Sequence, residues 1–158
     1  MKSLRSTLLG MALIGAAALP AHAQMPIPAD LPWNSPPSMV RVRLARLGLH
    51  EAGGATGVGR DSTLVFSTPV AGGTARLTTR FRAKHLWHAS LSVQGDSATV
   101  QSFLDRYTAA VSARHGQPRA GQPRSRWVLR DGRAFTLPRA PTRLENGTFG
   151  FAVSFHGR

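Results

Sequence analysis

Thr74-Ala75-Arg76-Leu77-Thr78-Thr79-Arg80-Phe81 and Leu86-Trp87-His88-Ala89-Ser90-Leu91-Ser92-Val93-Gln94 decide the fold of this chain. Apolar and polar side chains alternate in both. A period of two belongs to a strand with one buried and one wet face, because successive side chains leave a pleated strand on opposite sides. In the first segment Ala75, Leu77, Thr79 and Phe81 share the inner side, and Arg76, Thr78, Arg80 and Arg82 share the outer one. In the second, the same parity puts Trp87, Ala89, Leu91 and Val93 inside and His88, Ser90 and Ser92 outside. Thr63 to Ser67, β-branched and aromatic, predicts a strand before them, with a turn over Pro69 to Gly73. Three such strands make an antiparallel meander with one solvated face.

The period changes next. Val100, Phe103, Leu104, Tyr107, Ala110 and Val111 recur at helical spacing and form one apolar stripe, assigned to core contact. Asp96 or Ser97 caps that helix, and His115, Gly116 and Pro118 mark its end. Two strands then flank Asp131-Gly132. A two-residue turn there would mix apolar residues onto both faces. A three-residue loop, Arg130-Asp131-Gly132 with Gly132 left-handed, pairs Trp127 with Phe135 and gathers Trp127, Leu129, Phe135 and Leu137 on one side. A last strand, Thr148 to His156, points Phe149, Phe151, Val153 and Phe155 inward after a turn at Asn146-Gly147. Asn146-Gly147-Thr148 also spells a glycosylation sequon, here taken as a turn only.

Upstream, Ser35 as N-cap and Pro36 at the first helical position open a helix over 36–47, with Val40, Leu44 and Leu47 on its apolar side and Gly48 as its stop. Residues 24–34 form a proline-rich extended lead-in. Residues 1–23 have the layout of a cleaved secretory signal peptide. Lys2 and Arg5 precede an apolar run from Leu8 to Leu19, and Ala21-His22-Ala23 supplies a small-x-small cleavage site. The run falls short of the ~20 residues a spanning helix needs. The expected compartment is therefore periplasmic or extracellular. The expected fold is α+β, a single domain over 35–158 in which two helices pack on one face of an antiparallel sheet as two layers, in the order α-β-β-β-α-β-β-β.

The stretch from Ser35 to Gly48, and His115-Gly116-Gln117-Pro118 leading to Trp127 and Asp131-Gly132, resemble small exported proteins built from tandem helix-plus-sheet units. These are the β-lactamase-inhibitor-protein-like and BamE-like outer-membrane assembly proteins, where a Gly-x-Pro-like break ends a helix before strands bearing a tryptophan. The resemblance implies a non-catalytic protein that binds another protein with its exposed sheet face. The chain departs from the BamE-like pattern in having no cysteine to lipidate, which puts the outer-membrane anchoring that the resemblance implies in doubt.

Twenty basic residues stand against seven acidic ones, for a formal net charge of +13. Such an excess favours an acidic protein or an anionic envelope component as partner; nucleic acid is not the expected one. Almost every cation is arginine, which also fits a GC-rich coding bias and leaves part of the charge to composition alone. Arg76, Arg80 and Arg82 on the second strand, His88 on the third, and Arg126 and Arg130, opposite in parity to Trp127 and Leu129, would share one wet face if all these strands belong to one sheet. Forked guanidiniums at strand spacing each grip a carboxylate or phosphate.

Chemistry beyond binding finds little support. Gly53 to Gly59 is glycine-rich but lacks the Gly-Lys-Ser/Thr ending and the following helix of a phosphate loop. His85-x-x-His88 places its imidazoles on opposite faces of a strand, a poor chelate. No Gly-x-Ser-x-Gly elbow or paired-carboxylate motif is present. The sequence therefore predicts no catalytic residue, metal or cofactor. Two rival functions share the fold: a secreted inhibitor of an extracellular enzyme, and a small periplasmic hydrolase using His88 or His115 with Asp105.

Overall fold

The computed structural model describes residues 25–53, 55–57, 61–70, 72–120 and 124–157. The predicted signal peptide lies outside the described residues, as does part of the glycine-rich stretch. The protein is α+β. Its helices are α1 (Pro37–Arg46) and α2 (Ser97–His115), and its strands are β1 (His50–Glu51), β2 (Ser62–Val70), β3 (Gly73–Arg82), β4 (His85–Gly95), β5 (Arg119–Ala120), β6 (Arg124–Val128), β7 (Ala134–Pro138), β8 (Thr142–Arg143) and β9 (Phe149–His156). They form a six-stranded antiparallel sheet, in the order β1-β2-β3-β4-β9-β8, and a three-stranded one, β5-β6-β7. The observed order therefore departs from the predicted one in the short strands β1, β5 and β8, and in the division into two sheets.

That division has a plain cause. β9 occupies the edge of β4, from His88↔His156 to Gly95↔Phe149, so the β6–β7 hairpin cannot pair there. The hairpin instead turns its one apolar face to the core, where the Phe135 ring meets Phe155 edge-on at 5.9 Å. Its register is the predicted one: Trp127 pairs with Phe135, and Gly132 has φ 82° inside a three-residue loop closed by Leu129 N–H donating to Arg133 O at 2.7 Å.

Both helices contribute to the same core as the sheets, through Val40 and Leu44 of α1 and Val100, Leu104, Tyr107 and Val111 of α2. The Asp96 side chain caps α2 by accepting from Thr99 N at 2.8 Å and Thr99 Oγ1 at 2.7 Å, and these bonds hold its carboxyl below the usual range. α1 starts one residue later than its sequence predicts, with Pro36 at the cap and no side-chain cap bond. The reason lies in the main chain before it. Ser35 O accepts from Leu86 N at 3.0 Å, and Asn34 N donates to Leu86 O at 3.1 Å, so this segment is bonded to β4 instead of turning into the helix. The lead-in is likewise drawn in: Met25, Ile27 and Leu31 are buried, Pro28–Asp30 is a 3-10 turn, and Trp33 Nε1 donates to Pro28 O at 2.8 Å.

Two further differences concern the meander. β2 continues through Pro69 to Val70, shortening the predicted turn. A proline is tolerated because β1 covers β2 only at Phe66 and Ser67, leaving that edge open beyond them. More consequential is a bulge between β3 and β4. Phe81 pairs with Leu86 and Arg80 with His88, so Trp87 is an extra residue in β4. A bulge shifts parity by one. Leu86 therefore joins the core, while Trp87, expected inside, is only half-buried under the Arg82 guanidinium, 4.3 Å from its ring.

Candidate functional site

Strand pairing aligns the outer face of the main sheet in rows. Thr63, Arg80, His88 and His156 stand side by side on β2, β3, β4 and β9. The next row is Val65, Thr78, Ser90 and Ser154, and the third is Ser67, Arg76, Ser92 and Ala152. Neighbours within a row are about 4.8 Å apart, and alternate rows about 6.7 Å. The result is a hydroxyl-lined strip with a guanidinium at each end. Arg76, Arg80 and Arg82 are exposed, and none has a carboxylate partner among the described residues. A recess of about 290 Å³ opens beside Arg80, between Thr63 and Trp87.

The predicted site residues do not all meet here. Arg76, Arg80 and Arg82 do. Arg126 and Arg130 are exposed but belong to the hairpin of the second sheet, so the single face expected for all of them does not form. His88 is in the row but is not wet: it is 9% exposed, because Trp87 and His156 lie over it with ring centroids at 5.5 and 4.7 Å. Its Nδ1 is buried with no hydrogen-bond partner among the described residues. His156 was overlooked as a site residue. Its signal was already in the alternation, which sets it opposite Phe155 at the end of the last strand. His85 turns away and bonds Asn34 O through Nδ1 at 2.7 Å. No group of three or more His, Asp or Glu side chains arranged to hold a metal occurs among the described residues.

The electrostatics of the row follow from this packing. Burial, then the neighbouring His156 and Arg80, push the His88 pKa below its ordinary value of 6.5. The neutral imidazole is the form that the fold accepts. His88 thus contributes stability in full above about pH 6.5, and that contribution is lost as pH falls from there through its depressed folded value. Urea unfolding from pH 7.5 to 5 should show stability declining with acid, and a steeper decline in the wild type than in His88→Phe. Parallel curves for the two would show that His88 carries no such linkage.

The fold and this face define an α+β protein with an open, cationic sheet surface. Compared with protein-family models, curated proteins and solved structures, the chain matches none of them.

Proposed function

We propose that this chain is an exported, non-catalytic binding protein that presents the outer face of its main sheet to an acidic protein or anionic envelope component. The proposal takes the two-layer arrangement as its frame, with helices and hairpin on the inner side of the six-stranded sheet and the outer side left free. The observation that carries it is the set of three guanidiniums, Arg76, Arg80 and Arg82, without a carboxylate partner among the described residues, on one exposed strand face beside rows of hydroxyls. Such a surface offers forked donors to carboxylates and hydroxyl donors between them, while the regular strands beneath keep the donors in place. The resemblance to sheet-face binders such as the β-lactamase-inhibitor-protein-like group supports the same use, as does the leader-like start of the chain.

The test is capture from an envelope extract by wild type and by the variant carrying Arg76→Glu, Arg80→Glu and Arg82→Glu. A charge-assisted hydrogen bond contributes about 1.5–3 kcal/mol. Losing three and adding repulsion should weaken capture by about 100-fold or more. Undiminished capture by a variant that melts like wild type removes the sheet face from the function. No dependence on salt would also count against it, since exposed ion pairs are screened.

A further inference from the structure

We propose that the groove between α1 and α2 binds the anion of a medium-chain fatty acid. The groove has a volume of about 1150 Å³ and is bounded by the two helices, the N-terminal segment and the end of β2. It slightly exceeds the ~300–1,000 Å³ of pockets that take small ligands. Its apolar lining comes from Met25, Phe103 and Tyr107, with Leu47 exposed at the edge, and Ala110 and Ala113 leave the α2 wall low. The tyrosine offers no polar contact to a ligand there: its hydroxyl donates to Pro26 O at 2.9 Å, and burial, then the Asp30 charge, push its pKa well above the ordinary value.

The charges at the rim select the ligand's head. Arg43 and Arg46 lie one turn apart on α1, both exposed and without a carboxylate partner among the described residues. Across the groove, Arg114 is already paired with Asp30 at 2.7 Å, and Arg106 Nε donates to Ser102 O at 3.2 Å. That pairing also neutralises the carboxylate on the walls. Arg43 and Arg46 set two free guanidiniums side by side at one rim, with the Arg106 cation on the facing helix also without a carboxylate partner among the described residues, above an apolar trough, which fits one carboxylate followed by a hydrocarbon tail. The sequence hid this site, since the α2 stripe reads as a single core contact. In the structure Val100, Leu104 and Val111 are fully buried, while Phe103 and Ala110 face the groove.

The probe is calorimetric titration of the full chain with octanoate, decanoate and dodecanoate below their micellar concentrations, and with dodecanol. Two added methylenes should tighten binding about tenfold, and dodecanol should bind at least tenfold more weakly than dodecanoate. Ala110→Trp, at an exposed helix position, fills the trough and should abolish uptake without lowering the melting temperature. Arg43→Glu with Arg46→Glu should weaken dodecanoate binding about 30-fold or more, whereas the equal charge change in Arg139→Glu with Arg143→Glu should not. No uptake, no dependence on chain length, or uptake undisturbed by Ala110→Trp would each overturn the proposal. So would an equal loss in the Arg139/Arg143 pair, which would reduce the effect to net charge.

Discussion

Trp127→Ala is expected to cost about 3–5 kcal/mol, the range for emptying a buried aromatic site, and so to consume a large part of a typical domain's 5–15 kcal/mol (approximate). The indole is 1% exposed, stacks on Phe135 with centroids 5.3 Å apart and planes 9° from parallel, and donates from Nε1 to Gly116 O at 3.1 Å. That last bond fastens the small sheet to the C-terminal end of α2, where the carbonyls have no partner within the helix. Alanine removes the ring, opens a cavity and leaves the Gly116 carbonyl to find water. Phenylalanine should recover part of the packing and none of the bond. Urea unfolding followed by far-UV dichroism reads the cost directly. Trp87→Ala is the control from the same residue type. Its ring is half-buried and touches Arg82, His88 and His156, contacts contributing about 0.5–1.5 kcal/mol each, so its cost should stay at about 1–2 kcal/mol, below that of Trp127. Equal costs for the two tryptophans would contradict their assigned environments.

The two tryptophans also show how far the sequence could be read. Trp127 was placed correctly because the hairpin has a local constraint: only a three-residue loop with Gly132 left-handed puts Trp127, Leu129, Phe135 and Leu137 on one side. The same local logic narrows the cap to Asp96 or Ser97, and finds the Asn146-Gly147 turn and the outer placement of Arg76, Arg80 and Arg82. Trp87 was misplaced because alternation counts residues, and a bulge adds one that no composition rule announces. The pairing of β4 with β9 was beyond reach for another reason. It joins segments separated by a whole helix and hairpin, and nothing local to either strand names its partner. Arg126 and Arg130 were lost to the shared face through that missing long-range fact. The helix groove was lost because an apolar stripe looks the same whether all or only part of its width is covered.

A pair of single-residue deletions in β4 should separate the bulge from the ladder. Removing Trp87 leaves every other pair of β3 and β4 in place, since Leu86 already faces Phe81 and His88 already faces Arg80. The losses are the Arg82 contact, the ring's cover over His88 and His156, and the Trp87 carbonyl that accepts from Gly157 N at 2.7 Å. Together these amount to roughly 2–3 kcal/mol, and the protein should fold. Removing Ser92 has no such escape. The least damaging response spends the bulge and slides the residues before it by one. Leu91, 1% exposed, then moves to the outer face, Ser90 takes its place inside, and His88 enters the fully buried slot of Ala89. Leucine burial lost costs about 1.5–3 kcal/mol, and each buried polar group without a partner about 1–3 kcal/mol. Their sum approaches the whole stability of a small domain, so this chain should be recovered unfolded or insoluble. The opposite slide is no better, because it turns Val93 outward, brings Gln94 into the core, and drags Gly95 from its close pairing with Gly73 beside the Asp96 cap. Dichroism and gel filtration of the two deletions decide the matter. A folded Ser92 deletion, or a Trp87 deletion as damaged as it, would show that the extra residue of β4 lies elsewhere than between Leu86 and His88.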